Sequence, residues 1–364
     1  MTARITDVML VGDLASPHVR RLATALRDHG LTIAVACFEG DPIPGIETHR
    51  LGSRPVHHDR RYAAAVFPLA RLLRRRRPGV VHAHYLSSYG LLAALAIRLA
   101  HPIGRRPALV QTTWGSDLLV TARTSFIRRF LATIALRSAD LMTGDSADLE
   151  AAARRLAPRA RFHRFVFGPA VDRFEIARQP DRVVLSGRRL DPDMRVHLVI
   201  AAFKSATSRD PGMDGWRLVV AGDGTQAAEL RRSAADDSSI EFVGYLDAAA
   251  LGAQLARGAV FVSVPVSDAT SAFVLEAMAA GVVPVVNDLP ANREWVDASI
   301  GEIVPADPTV EDLAAAIARA ARRTIAPESV RSRVRAVAWD AEVGRLVGLY
   351  RDFPPPAVSG QERD

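Results

Sequence analysis

The stretch Ser267-Asp268-Ala269-Thr270-Ser271-Ala272-Phe273-Val274-Leu275-Glu276-Ala277-Met278-Ala279-Ala280-Gly281 runs straight into Val282-Val283-Pro284-Val285-Val286, and the apolar run Ala259–Val264 precedes it. An apolar run, a polar turn, a helical pattern and a second apolar run make a βαβ unit, whose strands are parallel. Both runs are rich in Val and lack polar alternation, as strands buried on both faces do. The helix starts near Ser271. The amides of Thr270, Ser271 and Ala272 then stand as unpaired donors at a helix N-terminus, which is a ready anion site. Glu276 follows just over one turn later on the same helix, where its carboxylate can accept a pair of hydrogen bonds from ribose hydroxyls. Asp268 lies eight residues before it, in the turn. Phosphates at the helix start and a ribose further along suit a nucleoside diphosphate. Spacing alone equally allows a surface helix capped by Ser271 or Thr270, with Glu276 solvated.

The same alternation extends outward over the 364 residues. Twelve runs read as strands: Val8–Gly12, Thr32–Phe38, Val80–His84, Ala108–Thr113, Leu141–Asp145, Arg164–Phe167, Val183–Ser186, Arg217–Ala221, Ile240–Val243, Ala259–Val264, Val283–Asn287 and Glu302–Val304. Helical segments separate them, so the class is α/β with parallel sheets. Twelve strands are too many for one typical doubly wound sheet. The polar stretch Asp172–Asp181, containing Pro180, separates two βα series. We therefore expect Rossmann-like domains at 1–172 and 173–338, and a helix at 339–353 that crosses back to the first domain. The tail 354–364, which opens with Pro354-Pro355-Pro356, is expected to be disordered. In open α/β sheets ligands bind at the carboxyl edges of the strands. Two facing domains would thus set a cleft between them, and the informative residues lie in loops after strands.

Hydrophobic residues make up 49% and charged residues 24% of the chain, ordinary values for a soluble globular protein. The single cysteine, Cys37, sits in an apolar run and reads as a buried thiol, so no intramolecular disulfide is possible. The N-terminus lacks the features of a signal peptide, and no apolar stretch reaches the ~18–20 residues of a membrane span. Cytoplasm is the expected location. Residues 1–175 hold 26 arginines against 14 acidic residues, a net of +12, while the whole chain carries +7. A basic first half suits an anionic partner. No basic run with interleaved aromatics and no nucleic-acid-binding module appears, which argues against nucleic acid. Two stretches suit anionic lipid on the cytoplasmic face: Arg60 to Arg77, and Phe126 to Arg137, where Phe126, Ile127, Phe130, Leu131 and Ile134 share a helical face beside Arg128 and Arg129. Ordinary surface helices with their apolar faces turned inward fit the same pattern.

Leu275-Glu276-Ala277-Met278-Ala279, with Gly281 and Pro284-Val285-Val286, resembles the Glu-x7-Glu region of glycosyltransferase family four. The resemblance implies the GT-B architecture and transfer of a sugar, with retention, from a nucleotide-sugar donor, most often a UDP-sugar. Asp268 stands where the family has its first Glu, so the resemblance assigns Asp268 to the donor sugar and Glu276 to the ribose. Ala269-Thr270-Ser271 replaces the family's Gly-Phe-Gly. Gly187-Arg188-Arg189-Leu190 is similar to the family's Gly-Arg-Leu, whose Arg grips the diphosphate; Arg189 aligns best, with Arg188 adjacent. The family Lys falls near Met194, and Arg195 is the nearest cation. Ala221-Gly222-Asp223-Gly224 and Phe242-Val243-Gly244-Tyr245-Leu246 resemble the loops beside the base, which adds Gly222, Tyr245 and Leu246 to the donor side.

In the first half, Val80-Val81-His82-Ala83-His84 and Thr113-Trp114-Gly115-Ser116-Asp117 resemble family segments, the latter in a Trp-Gly-Ser-Asp form. Trp114 replaces a His that approaches the donor sugar in many relatives. The acceptor side is expected at Ser16, the N-cap before Pro17, and at His18, Trp114 and Asp117. Catalytic roles are expected for Asp268, Arg189 and His84. His82 and His84 share a strand face, but no third ligand is evident nearby, so no metal is expected. Nor is any other cofactor, since the nucleotide-sugar is a substrate. The acceptor is a small molecule or a lipid-linked intermediate of the cell envelope or of natural-product assembly. Rival readings are an epimerase or phosphorylase on the same fold and a non-catalytic nucleotide-sugar-binding partner.

Overall fold

In a computed structural model, which describes residues 7–52, 58–115, 118, 126–176 and 180–353, the chain divides into two compact units. One comprises Met1–Val166 with Asp340–Asp364, the other Phe167–Trp339. The division falls at Phe167, six residues before the start expected from sequence. The tail 354–364 lies outside the described residues.

Strands of the first unit are β1 (Val8–Val11), β2 (Ile33–Cys37), β3 (Glu47–Arg50), β4 (Val80–His84), β5 (Ala108–Thr112), β6 (Leu141–Gly144) and β7 (Phe162–Arg164). They form one parallel sheet in the order β3-β2-β1-β4-β5-β6-β7. Central strands β1, β2 and β4 are buried along their whole length, as their unbroken Val and Ala runs require. Cys37 ends β2 fully buried, and burial pushes its thiol pKa up.

Two strands depart from expectation. Glu47–Arg50 was not foreseen, because an edge strand of four polar residues carries no apolar signal. The expected strand at Arg164–Phe167 lies earlier, at Phe162–Arg164, where Met142, Thr143 and Gly144 offer it partners.

The second unit holds β8 (Val183–Gly187), β9 (Arg217–Ala221), β10 (Ile240–Gly244), β11 (Val260–Ser263), β12 (Val283–Asn287) and β13 (Glu302–Val304). This sheet too is parallel, in the order β10-β9-β8-β11-β12-β13. Helices Val196–Arg209 and Val310–Arg322 cover it, and Val199, Phe203, Leu313 and Ile317 pack on Val184, Val220, Val262 and Val285 in one core. Both sheets are doubly wound. Strand order reverses between β1 and β4 in the first and between β8 and β11 in the second. Such reversals are where crevices open at the carboxyl edge.

Helix Trp339–Arg351 ties the end of the chain into the first unit. Glu342, almost fully buried, accepts the Val166 amide at 2.9 Å. Tyr350 Oη meets His82 Nδ1 at 2.5 Å, and His82 Nε2 meets Thr112 Oγ1 at 2.6 Å. Thr112 in turn pairs with Thr143 at 2.7 Å, so a buried polar chain runs across β4, β5 and β6. Among the described residues no helix is long and apolar enough to cross a membrane.

Candidate functional site

At the reversal in the second unit, the loop after β8 meets the loop after β11. Gly187 ends β8, and a Cβ there would lie 2.9 Å from the Phe273 ring. Only glycine lets the helix Ala272–Ala279 pack this closely on the strand end. Gly222 has φ +127°, and a Cβ on it would overlap the Arg188 carbonyl. These two glycines press the β9 loop and the helix start against Arg188.

Arg188 is the central side chain. Its Nη2 donates to Asp268 Oδ2 at 2.6 Å and its Nη1 to Ser271 Oγ at 2.6 Å. Met194, at the position expected for the family Lys, places its Sδ 3.1 Å from Nη2. Ser271 caps the helix by accepting from the Val274 amide at 3.4 Å. The first helical bond, Leu275 N to Ser271 O, leaves the amides of Ala272 and Phe273 outside the helix ladder. A guanidinium and a helix N-terminus thus converge beside one carboxylate. Glu276 lies half-buried on the same helix, one turn on.

The expected clamp, Arg189, is placed elsewhere. Its side chain is 65% exposed, against 10% for Arg188, and it pairs with Asp191 at 2.8 Å and Asp193 at 3.4 Å. Successive residues leaving a strand point to opposite faces, so only one of the pair can turn inward. The assignment therefore moves from Arg189 to Arg188. Arg195 has φ +54°, a left-handed conformation that favours glycine. Its guanidinium pairs with Asp307 and donates to the Ala306 carbonyl, away from Asp268. Tyr245 is exposed and Leu246 half-buried just past β10; Thr270 is half-buried beside Ser271.

In the first unit, three expected residues come together. The rings of His18 and Trp114 are 4.7 Å apart, and those of His84 and Trp114 6.1 Å. His84 ends β4 fully buried, stacked on His82 at 4.8 Å, and neither of its ring nitrogens has a hydrogen-bond partner among the described residues. Burial, then His18, lowers its pKa to about 3, so the imidazole is neutral at pH 7. Burial and Arg21 also lower His18. Tyr85 follows at φ +67°, a conformation non-glycine residues adopt at a cost of about 1–3 kcal/mol, and opens a π-helical turn, Tyr85–Gly90. Ser16 is the N-cap of helix Pro17–Asp28, but its side chain makes no capping bond. Asp117 lies outside the described residues. Sequence reading missed Asp13 and Arg61, which approach each other at 3.8 Å after β1 and on helix His58–Arg76. Asp13 follows a strand end, the one signal that pointed to it.

Residues 7–146 match the family described as Glycosyl transferase 4-like, and residues 180–323 match Glycosyl transferases group 1. The chain is a GT-B glycosyltransferase. The two matches cover most of it, one in each unit. No curated protein matches the sequence of this glycosyltransferase. Its fold is similar to sucrose-phosphate synthase of Thermosynechococcus elongatus, with a TM-score of 0.77 at 19% identity over 95% of this chain and 98% of that one. Anabaena HepE in complex with UDP and glucose gives 0.75 at 15% identity, over 95% and 99%. The lipopolysaccharide outer core galactosyltransferase WaaB gives 0.72 at 13% identity, over 95% and 99%.

Proposed function

We propose that this glycosyltransferase moves a sugar, with retention and without a metal, from a UDP-sugar to an acceptor hydroxyl. The observation that carries the reading is Arg188, held between Asp268 and Ser271 at the start of helix Ala272–Ala279. The diphosphate takes the place that the Asp268 carboxylate now fills on Arg188 and gains the free amides of the helix start. Asp268, released, accepts from hydroxyls of the donor sugar. Glu276 accepts from the ribose, and the loops at Gly222 and Tyr245-Leu246 flank the base.

As the bond from the anomeric carbon to phosphate oxygen breaks, charge builds on the diphosphate. Arg188 and the amides stabilise it, an effect worth roughly 10²–10³ in rate for one donor. The acceptor oxygen bonds to the anomeric carbon on the same face, and its proton passes to the departing phosphate. His84, neutral at pH 7, serves as a hydrogen-bonding wall beside Trp114 and His18, not as a cation. UDP is preferred because HepE, of similar fold, is in complex with it. We place the enzyme in the cytoplasm, in contact with anionic lipid through helix Phe126–Ser138. That helix buries Ala132, Ala135 and Leu136 and leaves Phe126, Ile127 and Phe130 exposed, so three of its large apolar residues do not pack inward.

Calorimetric titration with UDP, GDP, ADP and TDP, with and without magnesium, tests the donor site. We expect UDP alone to bind, equally well in EDTA. Binding of none, or binding only with magnesium, contradicts the reading. Turnover of donor without acceptor would favour an epimerase instead.

A further inference from the structure

The first unit contains a cavity of about 690 Å³ at the carboxyl edge of its sheet. Two chemistries line it. One part is polar. Arg61 and Asp13 are mostly buried there, and Arg61 holds Glu39 at 2.7 Å. Asp13 Oδ1 accepts the amides of Phe38 and Glu39 at 2.9 and 2.7 Å, which fixes the carboxylate. The Arg61 guanidinium lies 4.8 Å from the Phe38 ring centre and 5.2 Å from that of Tyr62, and its buried Nε–H has no hydrogen-bond partner among the described residues. Carboxylates alternating with a fixed guanidinium suit vicinal hydroxyls, which donate to the one and accept from the other.

The other part is apolar: Val66, Leu92, Leu95, Ile127 and Leu131. It does not end at the cavity. Ile127 is 69% exposed and Phe126, next to it, 84% exposed, and Phe130 continues the same surface. Contiguous exposed hydrocarbon leading out of a polar recess has no use for a fully hydroxylated ligand, and it leaves apolar area in water until something covers it. Arg128 also lines the cavity.

We propose that the cavity binds an amphiphile, with a hydroxylated head against Asp13, Glu39 and Arg61 and a hydrocarbon chain along Leu95, Ile127 and Leu131. Resting on the glycosyltransferase reading, this amphiphile is the acceptor, and a chain-bearing glycoside or polyol is the class of substrate.

Binding to the whole protein tests the assignment without turnover. Octyl β-glucoside below its micellar concentration, methyl β-glucoside and UDP are titrated separately. Burying about half of the added methylenes makes the octyl compound bind roughly 100-fold tighter than the methyl one. In the double variant Leu95→Glu, Ile127→Glu that advantage falls to less than about threefold, while UDP binds as before. Equal affinity of the two glucosides, absence of binding by both, or an octyl advantage that survives the double variant overturns the proposal. UDP failing to bind while the octyl advantage holds overturns the donor reading, and with it the role of acceptor, but not the amphiphile site.

Discussion

The Arg188 guanidinium lies 2.6 Å from the Asp268 carboxylate although 80 positions separate them in the chain. The contact exists because β8 and β11 are neighbours in the second sheet, so their loops leave the sheet side by side. In the proposed mechanism a diphosphate enters this charge pair by exchange, with Asp268 moving from guanidinium to sugar hydroxyl.

That exchange makes the two adjacent arginines unequal. Arg188→Ala should lower kcat/KM for donor by about 10²–10³. Arg189→Ala removes only exposed pairs with Asp191 and Asp193, and should stay within about threefold of the parent. Steady-state kinetics on both variants decide it. Reversed effects would return the clamp to Arg189.

Glu276→Ala should weaken UDP binding by about 10- to 100-fold, the value of hydrogen bonds to a charged acceptor. Calorimetry reads it directly. An unchanged Kd for UDP would remove Glu276 from the ribose.

His84 is protonated near pH 6.5 in an unfolded chain but only at about pH 3 when buried. Between those values the unfolded state holds the extra proton. The contribution of His84 to stability is therefore complete above pH 6.5 and falls by about 1.4 kcal/mol per pH unit below it, levelling off under pH 3. Urea unfolding at pH 7, 6 and 5 measures the slope, and His84→Leu should flatten it by that amount. Equal slopes in both proteins would mean that His84 is not a buried neutral group.

Tyr350→Phe removes the partner of His82 Nδ1 inside the first unit. A buried nitrogen left unpaired costs about 1–3 kcal/mol. The unfolding midpoint should drop accordingly, with no change in affinity for UDP, whose proposed site is built by the other unit. A variant as stable as the parent would show that the bond from Tyr350 to His82 contributes nothing to holding the helix Trp339–Arg351.

Most strands were legible because a parallel sheet buries both faces, so its runs are unbroken Val, Leu and Ala. Glu47–Arg50 was not, since an edge strand of Glu, Thr, His and Arg has only its backbone to declare it. The loops after β8 and β11 and the helix start between them were legible from Leu275-Glu276-Ala277-Met278 and Gly187. Which of Arg188 and Arg189 turns inward was not, because one residue of phase decides it and only the end of β8 sets that phase. The face of helix Phe126–Ser138 was open to two readings. Ala132, Ala135 and Leu136 form its inner side, and Phe126, Ile127 and Phe130 are left outside. The 690 Å³ cavity draws on loops after β1, β2 and β4 and on three helices, and no local pattern encodes such a meeting.

The first unit closes only with residues from the far end of the chain, through Glu342 on Val166 and Tyr350 on His82. During synthesis, all of Phe167–Trp339 is made before those residues appear. The unit begun first is therefore the one finished last. A nascent chain passes through a stage in which the second unit is complete while the first still lacks its closing helix and keeps His82 and the Val166 amide without their final partners. Domains usually mature in the order they are translated; here the path of the backbone reverses that order.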